Sequence, residues 1–494
     1  MTVPARLADA PSGKFKSWKS IYWRTVQKDV RRLQVRIAKA VMKKKYRKAK
    51  SLQWILAHSY HAKLLAIKRV TSNKGKRTPG VDGITWKTSR KKMLAVSELK
   101  RKAYKPQALR RIYIPKKNGK KRPLSIPTMK DRAMQALYKM ALDPVAETNA
   151  DPNSYGFRQH RRCADAIGQC YCVLARKTSS VWIFEGDIKA CFDEISHEWI
   201  LNNILLDKDI LNKWLKAGYI DKAKRFPTSK GTPQGGIISP TLANMVLDGL
   251  EETAKKSIAS TTRGNIRSKI HVVRYADDFV ITGDSKELLE EKVKPAVESF
   301  LLERGLSLSE EKTSITRIEN GFDFLGQNIR KYKGKYLTKP SRDSVKSFLM
   351  KIRNTIRKHR GAAASVLIGN LNPVLRGWVN YHRHIVAKKT FNIVSKYLYN
   401  SLWNWMRRKH QKKSKHWLVQ KYWLGGKTPW TFTEKFSNKK GGYRLYELFH
   451  PGRVKIIRHI KIRGAANPYD PEYQEYFRKR WVVLQKQKLC YCSA

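Results

Sequence analysis

The chain has 494 residues, with 104 lysines and arginines against 38 aspartates and glutamates, a net charge of +66 and a pI near 10.3. Its 41% hydrophobic content is enough for a buried core, which excludes a disordered polycation. So large a charge repels itself unless a polyanion neutralises it, and RNA or DNA, held through phosphates and released by salt, is the natural partner.

Residues 1–14 read as a flexible tail with no apolar signal-peptide core. No later run reaches the roughly 20 apolar residues that span a bilayer, so an intracellular protein without membrane contact is expected. Residues 18–70 place apolar side chains at helical intervals among lysines and arginines, and the breaker-rich 71–83 ends that pattern. "RRIYIPK", "KNGK" and "KRPLSIP" predict strand, turn and strand, and "MKDRAMQALYKMALDPVAE" predicts a helix. The apolar run 181–193, "VWIFEGDIKACFD", predicts a buried strand, followed by a helix capped by Ser196. A Pro/Gly loop and a helix precede "RYADDFVI", a strand–turn–strand; 289–315 predicts a helix and an edge strand, and "FDFLGQNIRKYKGKYL" a small hairpin. Three helical patterns fill 341–409, whereas 411–494 is basic with scattered aromatics and no clear period. Helices alternating with mostly antiparallel strands predict an α+β fold. None of the six cysteines is spaced for a full zinc site, and free thiols in a reducing compartment are the default.

Acidic residues are scarce, so Asp187 in one apolar run and the Asp277–Asp278 pair in another stand out. Alone, the pair fits a turn, and Asp187 fits a helix cap or a salt bridge. If the two strands are neighbours, the three carboxylates converge, and divalent cations would relieve their repulsion. Mg²⁺ takes one or two carboxylates plus substrate phosphates, and two ions about 4 Å apart support in-line phosphoryl transfer.

In order, "YKPQALRRIYIPKKNGKKRPLSIP", "NSYGFRQHRRCADAI", "DIKACFD", "GTPQGGIISPTLAN", "YADD", "GLSLSEEKT", "FDFLG" and "LNPVLRGWVNYHR" give the chain its strongest signal. Across these blocks it resembles the reverse transcriptase–maturases encoded within mobile group II introns. The resemblance implies a right-hand polymerase: a basic N-terminal extension (1–70), fingers and palm (71–335), an α-helical thumb that is also the maturase X domain (336–410), and a basic DNA-binding region (411–494). It implies two Mg²⁺ ions held by Asp187, Asp277 and Asp278, with Asp187 and Asp277 the principal ligands and the Ile188 carbonyl assisting. Phe192 matches the aromatic gate that rejects a 2′-hydroxyl; ordinary core packing is the alternative. Lys116 and Arg122, with Arg110 a weaker candidate, match residues that grip the triphosphate, although a solvated basic hairpin would look alike. Gln234 and Gly235 match residues that contact the nucleotide and the template–primer minor groove, the glycine permitting close backbone approach. Lys312 matches a residue proposed as a general acid for pyrophosphate. Arg376, Tyr381, His382 and Arg383 form the candidate RNA-binding surface of domain X, where Trp378 and Tyr381 also fit a core-facing stripe.

The implied activity is RNA-directed DNA synthesis from dNTPs, with binding and assisted splicing of the group II intron RNA and insertion into target DNA as a ribonucleoprotein. The bacterial cytoplasm, on the nucleoid when engaged with DNA, or an organelle is the implied location. "IKIRGAANPYDPEYQEYFRKR" resembles the lead-in to an HNH endonuclease, but only Cys490 and Cys492 follow and no "HH", so that nuclease is expected to be truncated or lost. The competing reading is a splicing cofactor with a vestigial polymerase; the three aspartates, Phe192 and Gln234 argue against it.

Overall fold

A computed structural model describes residues 15, 17–115, 119, 121–258, 268–426, 430–437 and 443–489. The tail 1–14, Lys116 and the Cys490/Cys492 pair lie outside the described residues. No helix among the described residues is long and apolar enough to cross a membrane.

The basic N-terminal pattern forms three helices, Trp23–Met42, Tyr46–His58 and Tyr60–Ser72, parted at Lys44 (φ +53°) and Ser59. Val26, Val30, Ile37 and Val41 bury one stripe while the lysines face out. That stripe packs against helix Met129–Asn149, which is buried on nearly every side and forms the spine of the larger core. Helices Ser89–Glu98 and Cys163–Leu174 are additions to the elements expected from sequence.

Strands β1 (Leu109–Pro115) and β2 (Lys121–Ile126) pair antiparallel from Arg110↔Ile126 to Pro115↔Lys121. Strand β3 (Trp182–Asp187) is shorter than the run 181–193 suggested. It stops at Asp187 because Ala190 turns left-handed (φ +44°) and starts the one-turn helix Cys191–Glu194. A second hairpin, β4 (Tyr219–Asp221) and β5 (Lys224–Phe226), joins the first sheet in the order β2-β1-β4-β5. The expected hairpin at "RYADDFVI" is β6 (His271–Tyr275) and β7 (Asp278–Gly283); with β8 (Ser314–Arg317) at the edge, the central sheet runs β6-β7-β3-β8. Gly186 lies opposite Phe279, and a Cβ there would sit 2.1 Å from the ring, so the glycine in "FEGD" is required by packing.

The region 322–340 forms three strands where a hairpin was expected: β9 (Phe322–Phe324), β10 (Gln327–Tyr332) and β11 (Lys335–Pro340). The helices Arg342–Lys358, Ala364–His382 and Lys388–Lys409 then bury Ile352, Leu371, Val394 and Leu402 together. The C-terminal region carries more structure than its sequence suggested. Helix Lys415–Tyr422 and the hairpin β12 (Thr433–Ser437) and β13 (Tyr443–Glu447) cover this bundle. The chain then returns to the central sheet's helices, and helix Gln474–Leu489 is the last described element. Asp165, fully buried, accepts from His459 Nε2 (2.8 Å), the Ile462 N–H (2.7 Å) and Arg480 Nη2 (2.7 Å). Arg31 stacks over Tyr469, tying the same segment to the first helix.

Candidate metal and nucleotide site

The β3–β7 register sets Asp187 directly opposite Asp278. Asp187 gives its carbonyl to the Ser309 N–H (2.8 Å), and the Lys189 N–H donates to the Ser307 carbonyl (2.9 Å), so the bridge Ile188↔Leu308 is a non-hydrogen-bonded pair. In such a pair the backbone groups point away from the partner. The Ile188 carbonyl therefore faces the β7 side, where the register continued by one residue brings Asp277. By the same alternation Asp187 and Asp278 are a non-hydrogen-bonded pair, the geometry that brings cross-strand side chains closest. Asp277 occupies the turn between β6 and β7, with Ala276 at φ +58°.

Burial and the hydrogen bond with Asp187 hold the Asp278 carboxyl up at about 7. Burial, and then the charge of Asp187, raise Asp277, which Arg122 and Lys312 partly offset. Asp187 thus faces Asp278 across the strand pair, and Asp277 in the adjoining turn is close enough to feel the charge of Asp187 as well. Lys312 Nζ lies 2.7 Å from Asp187 Oδ2, and that bond raises the lysine's pKa. Burial also pushes the neighbouring Cys191 thiol up to about 12, which leaves it an inert core group. Among the described residues no group of three or more His, Cys, Asp or Glu side chains is placed to hold a metal ion. The donor set is an open one: crowded carboxylates with excess negative charge, and a backbone carbonyl on the same side. That chemistry fits Mg²⁺, which completes its shell with water and substrate phosphates.

The other sequence candidates fall around this pair. Arg122 is exposed on β2 and close enough to act on Asp277. Arg110 shares its face of the hairpin, and its Nε is buried with no partner. Phe192 sits on the turn after β3, half-buried, its ring edge-on to Phe157 at 6.3 Å. Gln234 Nε2 donates to Asp193 Oδ2 (2.9 Å), and the Gln234 backbone carbonyl accepts from the Ser125 N–H (2.7 Å). Gly235 (φ +121°) also makes a close approach within the chain: a Cβ would meet the Ser125 carbonyl of β2 at 2.6 Å.

Of the RNA-binding candidates, Arg376 is exposed, stacked over Phe449, and Tyr381 is exposed with its hydroxyl donating to the Leu325 carbonyl. Arg383, partly buried, donates to the Gln487 carbonyl. His382 is a correction. It is 0% exposed, lies 3.2 Å from Ser344 Oγ, and burial drives its pKa to about 3; it is a neutral packing residue, not an RNA contact. Trp378 stacks flat on Phe348 at 4.3 Å, as a core-facing residue should.

Two supports were missed from sequence. Arg274, 1% exposed, pairs with Asp248 beneath the aspartate hairpin; a lone arginine in the apolar run "HVVRY" was the available signal. Gly156 lies against the turn itself: a Cβ there would be 2.4 Å from the Ala276 nitrogen.

Residues 114–329 match the model of the reverse transcriptase (RNA-dependent DNA polymerase) family. Residues 18–99 match the N-terminal domain of reverse transcriptase, and 345–423 the group II intron maturase-specific domain. Protein YkfC of Escherichia coli (strain K12) is 34% identical over 309 residues, 54% of this chain and 80% of that protein. Group II intron-encoded protein LtrA of Lactococcus lactis subsp. cremoris is 32% identical over 334 residues, 54% of each chain. The putative COX1/OXI3 intron 1 protein of Saccharomyces cerevisiae is 32% identical over 321 residues, 54% of this chain and 38% of that protein. The matched part is thus about half of the L. lactis relative.

Proposed function

The chain belongs to the family of group II intron-encoded reverse transcriptases and maturases, and we propose that it is an RNA-directed DNA polymerase that also binds its intron RNA and assists its splicing. The observation that carries the polymerase reading is the β3–β7 register, which brings Asp187 opposite Asp278 with Asp277 in the adjoining turn. Asp187, Asp277, Asp278 and the Ile188 carbonyl would hold two Mg²⁺ ions. When bound, the metal supplies a lowered pKa for the attacking 3′-hydroxyl and neutralises charge on the leaving group.

The chain's own residues do the rest in this reading. Arg122, Lys116 and Arg110 bind the triphosphate, Arg122 as a planar fork. Phe192 lies under the sugar and excludes a 2′-hydroxyl. Gln234, anchored by Asp193 and by β2, orients the nucleotide. Lys312 holds a proton beside Asp187 for the departing pyrophosphate. Residues 71–335 act as fingers and palm, 336–410 as thumb and maturase domain, and 411–494 meet target DNA. The basic helices of 1–70 and the exposed Arg376, Tyr381 and Arg383 bind intron RNA through phosphates and shape. The product is a ribonucleoprotein in a bacterial cytoplasm or an organelle.

Extension of a DNA primer on an RNA template, with dNTPs and Mg²⁺, tests the reading. Synthesis by the wild-type chain and none by Asp277→Ala is expected. Equal RNA binding without synthesis by either would leave only the splicing-cofactor reading.

A further inference from the structure

Phe157 occupies a position that ordinary packing does not explain. It is a large apolar side chain, 54% exposed, on a left-handed backbone (φ +57°) that a residue with a Cβ adopts at a steric cost. The neighbours on both sides hold that conformation in place. The Gly156 carbonyl accepts from buried Asn244 Nδ2 (2.7 Å). Arg158 is locked by Glu147 (2.9 Å) and by the carbonyls of Asp151 (2.7 Å) and Ser154 (3.0 Å). The loop itself is stitched to β6 through the Tyr155 N–H and the Arg274 carbonyl (2.9 Å).

This one loop touches both halves of the candidate site. Gly156 lies against Ala276, the residue that turns the chain into Asp277. Phe157 meets the ring of Phe192 edge to face, with centroids 6.3 Å apart and planes at 75°. Such a contact fixes the angle of the ring it touches. Phe192 sits on a single helical turn entered through a left-handed alanine and packs one side against the larger core, so Phe157 bounds the part of the ring that the core leaves open.

We propose that Phe157 is a positioning residue for Phe192: it sets the tilt of the gate ring relative to the aspartate turn and so governs discrimination against the 2′-hydroxyl. The inference rests on the polymerase reading above. A gate that is free to tilt admits the extra hydroxyl, and Phe157 removes that freedom without touching the nucleotide.

The test is single-nucleotide extension of a DNA primer on an RNA template by the full chain. kcat and KM are measured for a dNTP and for the matching rNTP in wild type, Phe157→Ala, Phe157→Leu and Phe157→Tyr. A half-exposed ring is replaceable without unfolding, which thermal melts of each variant check. The ratio of dNTP to rNTP kcat/KM is expected to fall roughly 10-fold in Phe157→Ala, chiefly through a lower KM for the rNTP, and less in Phe157→Leu. Phe157→Tyr keeps the aromatic edge and is expected to discriminate as wild type does. In Phe157→Ala/Phe192→Val the alanine should add nothing further. Unchanged discrimination in both Phe157→Ala and Phe157→Leu overturns the inference, as does an equal loss of both substrates in all three variants. A wild-type chain that extends no primer overturns the polymerase reading and this inference with it.

Discussion

Lys312 Nζ lies 2.7 Å from Asp187 Oδ2, a cation on the carboxylate that opens the candidate metal site. The lysine side chain is 64% exposed, so the pair is screened and readily exchanged for another cation. Replacing Lys312 with Ala is expected to lower the Mg²⁺ concentration needed for half-maximal synthesis, because a competitor is gone. The same change is expected to cut kcat by about 10²-fold, the scale of a lost general acid. A Mg²⁺ titration of primer extension reads both, and an unchanged kcat would remove Lys312 from the chemistry.

Asp165 anchors the C-terminal region. Burial pushes its carboxyl up, but the bonds from His459, Arg480 and the Ile462 N–H outweigh burial and leave it below the ordinary value. A depressed carboxyl stabilises the fold above its unfolded pKa and loses that contribution as pH falls through the folded one. Asp165→Asn leaves Arg480 buried without its charge partner, at a cost of about 3–5 kcal/mol. Faster amide exchange across residues 454–489 is expected in that variant at neutral pH, and in wild type only below about pH 4. Unchanged exchange in Asp165→Asn would mean that the apolar contacts alone hold the segment.

Glu185 lies in β3, two residues before Asp187, where burial raises its carboxyl to about 7 despite Ser314 beside it. Between its ordinary pKa near 4.5 and 7 the native state keeps a proton that the unfolded chain has released, so stability falls as pH rises through that window. Glu185→Gln removes the ionisation and keeps the shape. Urea unfolding is expected to show it more stable than wild type by about 1–3 kcal/mol at pH 8 and equal at pH 4. A gain of the same size at both values would place the effect in packing instead.

The sequence made the site legible wherever chemistry is local. Scarce carboxylates in apolar runs marked Asp187, Asp277 and Asp278, and the spacing of "RYADDFVI" anticipated the β6–β7 hairpin. What escaped was set by distant contacts. Strand β3 ended early because of one left-handed alanine, which no pattern of apolar residues reports. The close approach of Gly235 to the Ser125 carbonyl of β2 was likewise invisible, because it joins residues about 110 positions apart. His382 has the chemistry of an RNA contact and the burial of a core residue, and only the packing of Ser344 against it tells the two apart. The region 454–489 lacks periodicity because it folds onto other elements, with Asp165 as its anchor, 297 positions before Ile462.

The most direct test of the polymerase-and-maturase account separates the two activities in one protein. Asp277→Ala is assayed beside wild type for extension of a DNA primer on intron RNA and for its effect on the rate of intron splicing, with folding checked by thermal melt. Loss of cDNA synthesis with splicing assistance intact is the result predicted, since the aspartates serve only the polymerase site. A folded Asp277→Ala chain that still synthesises cDNA, or that loses both activities together, would contradict it.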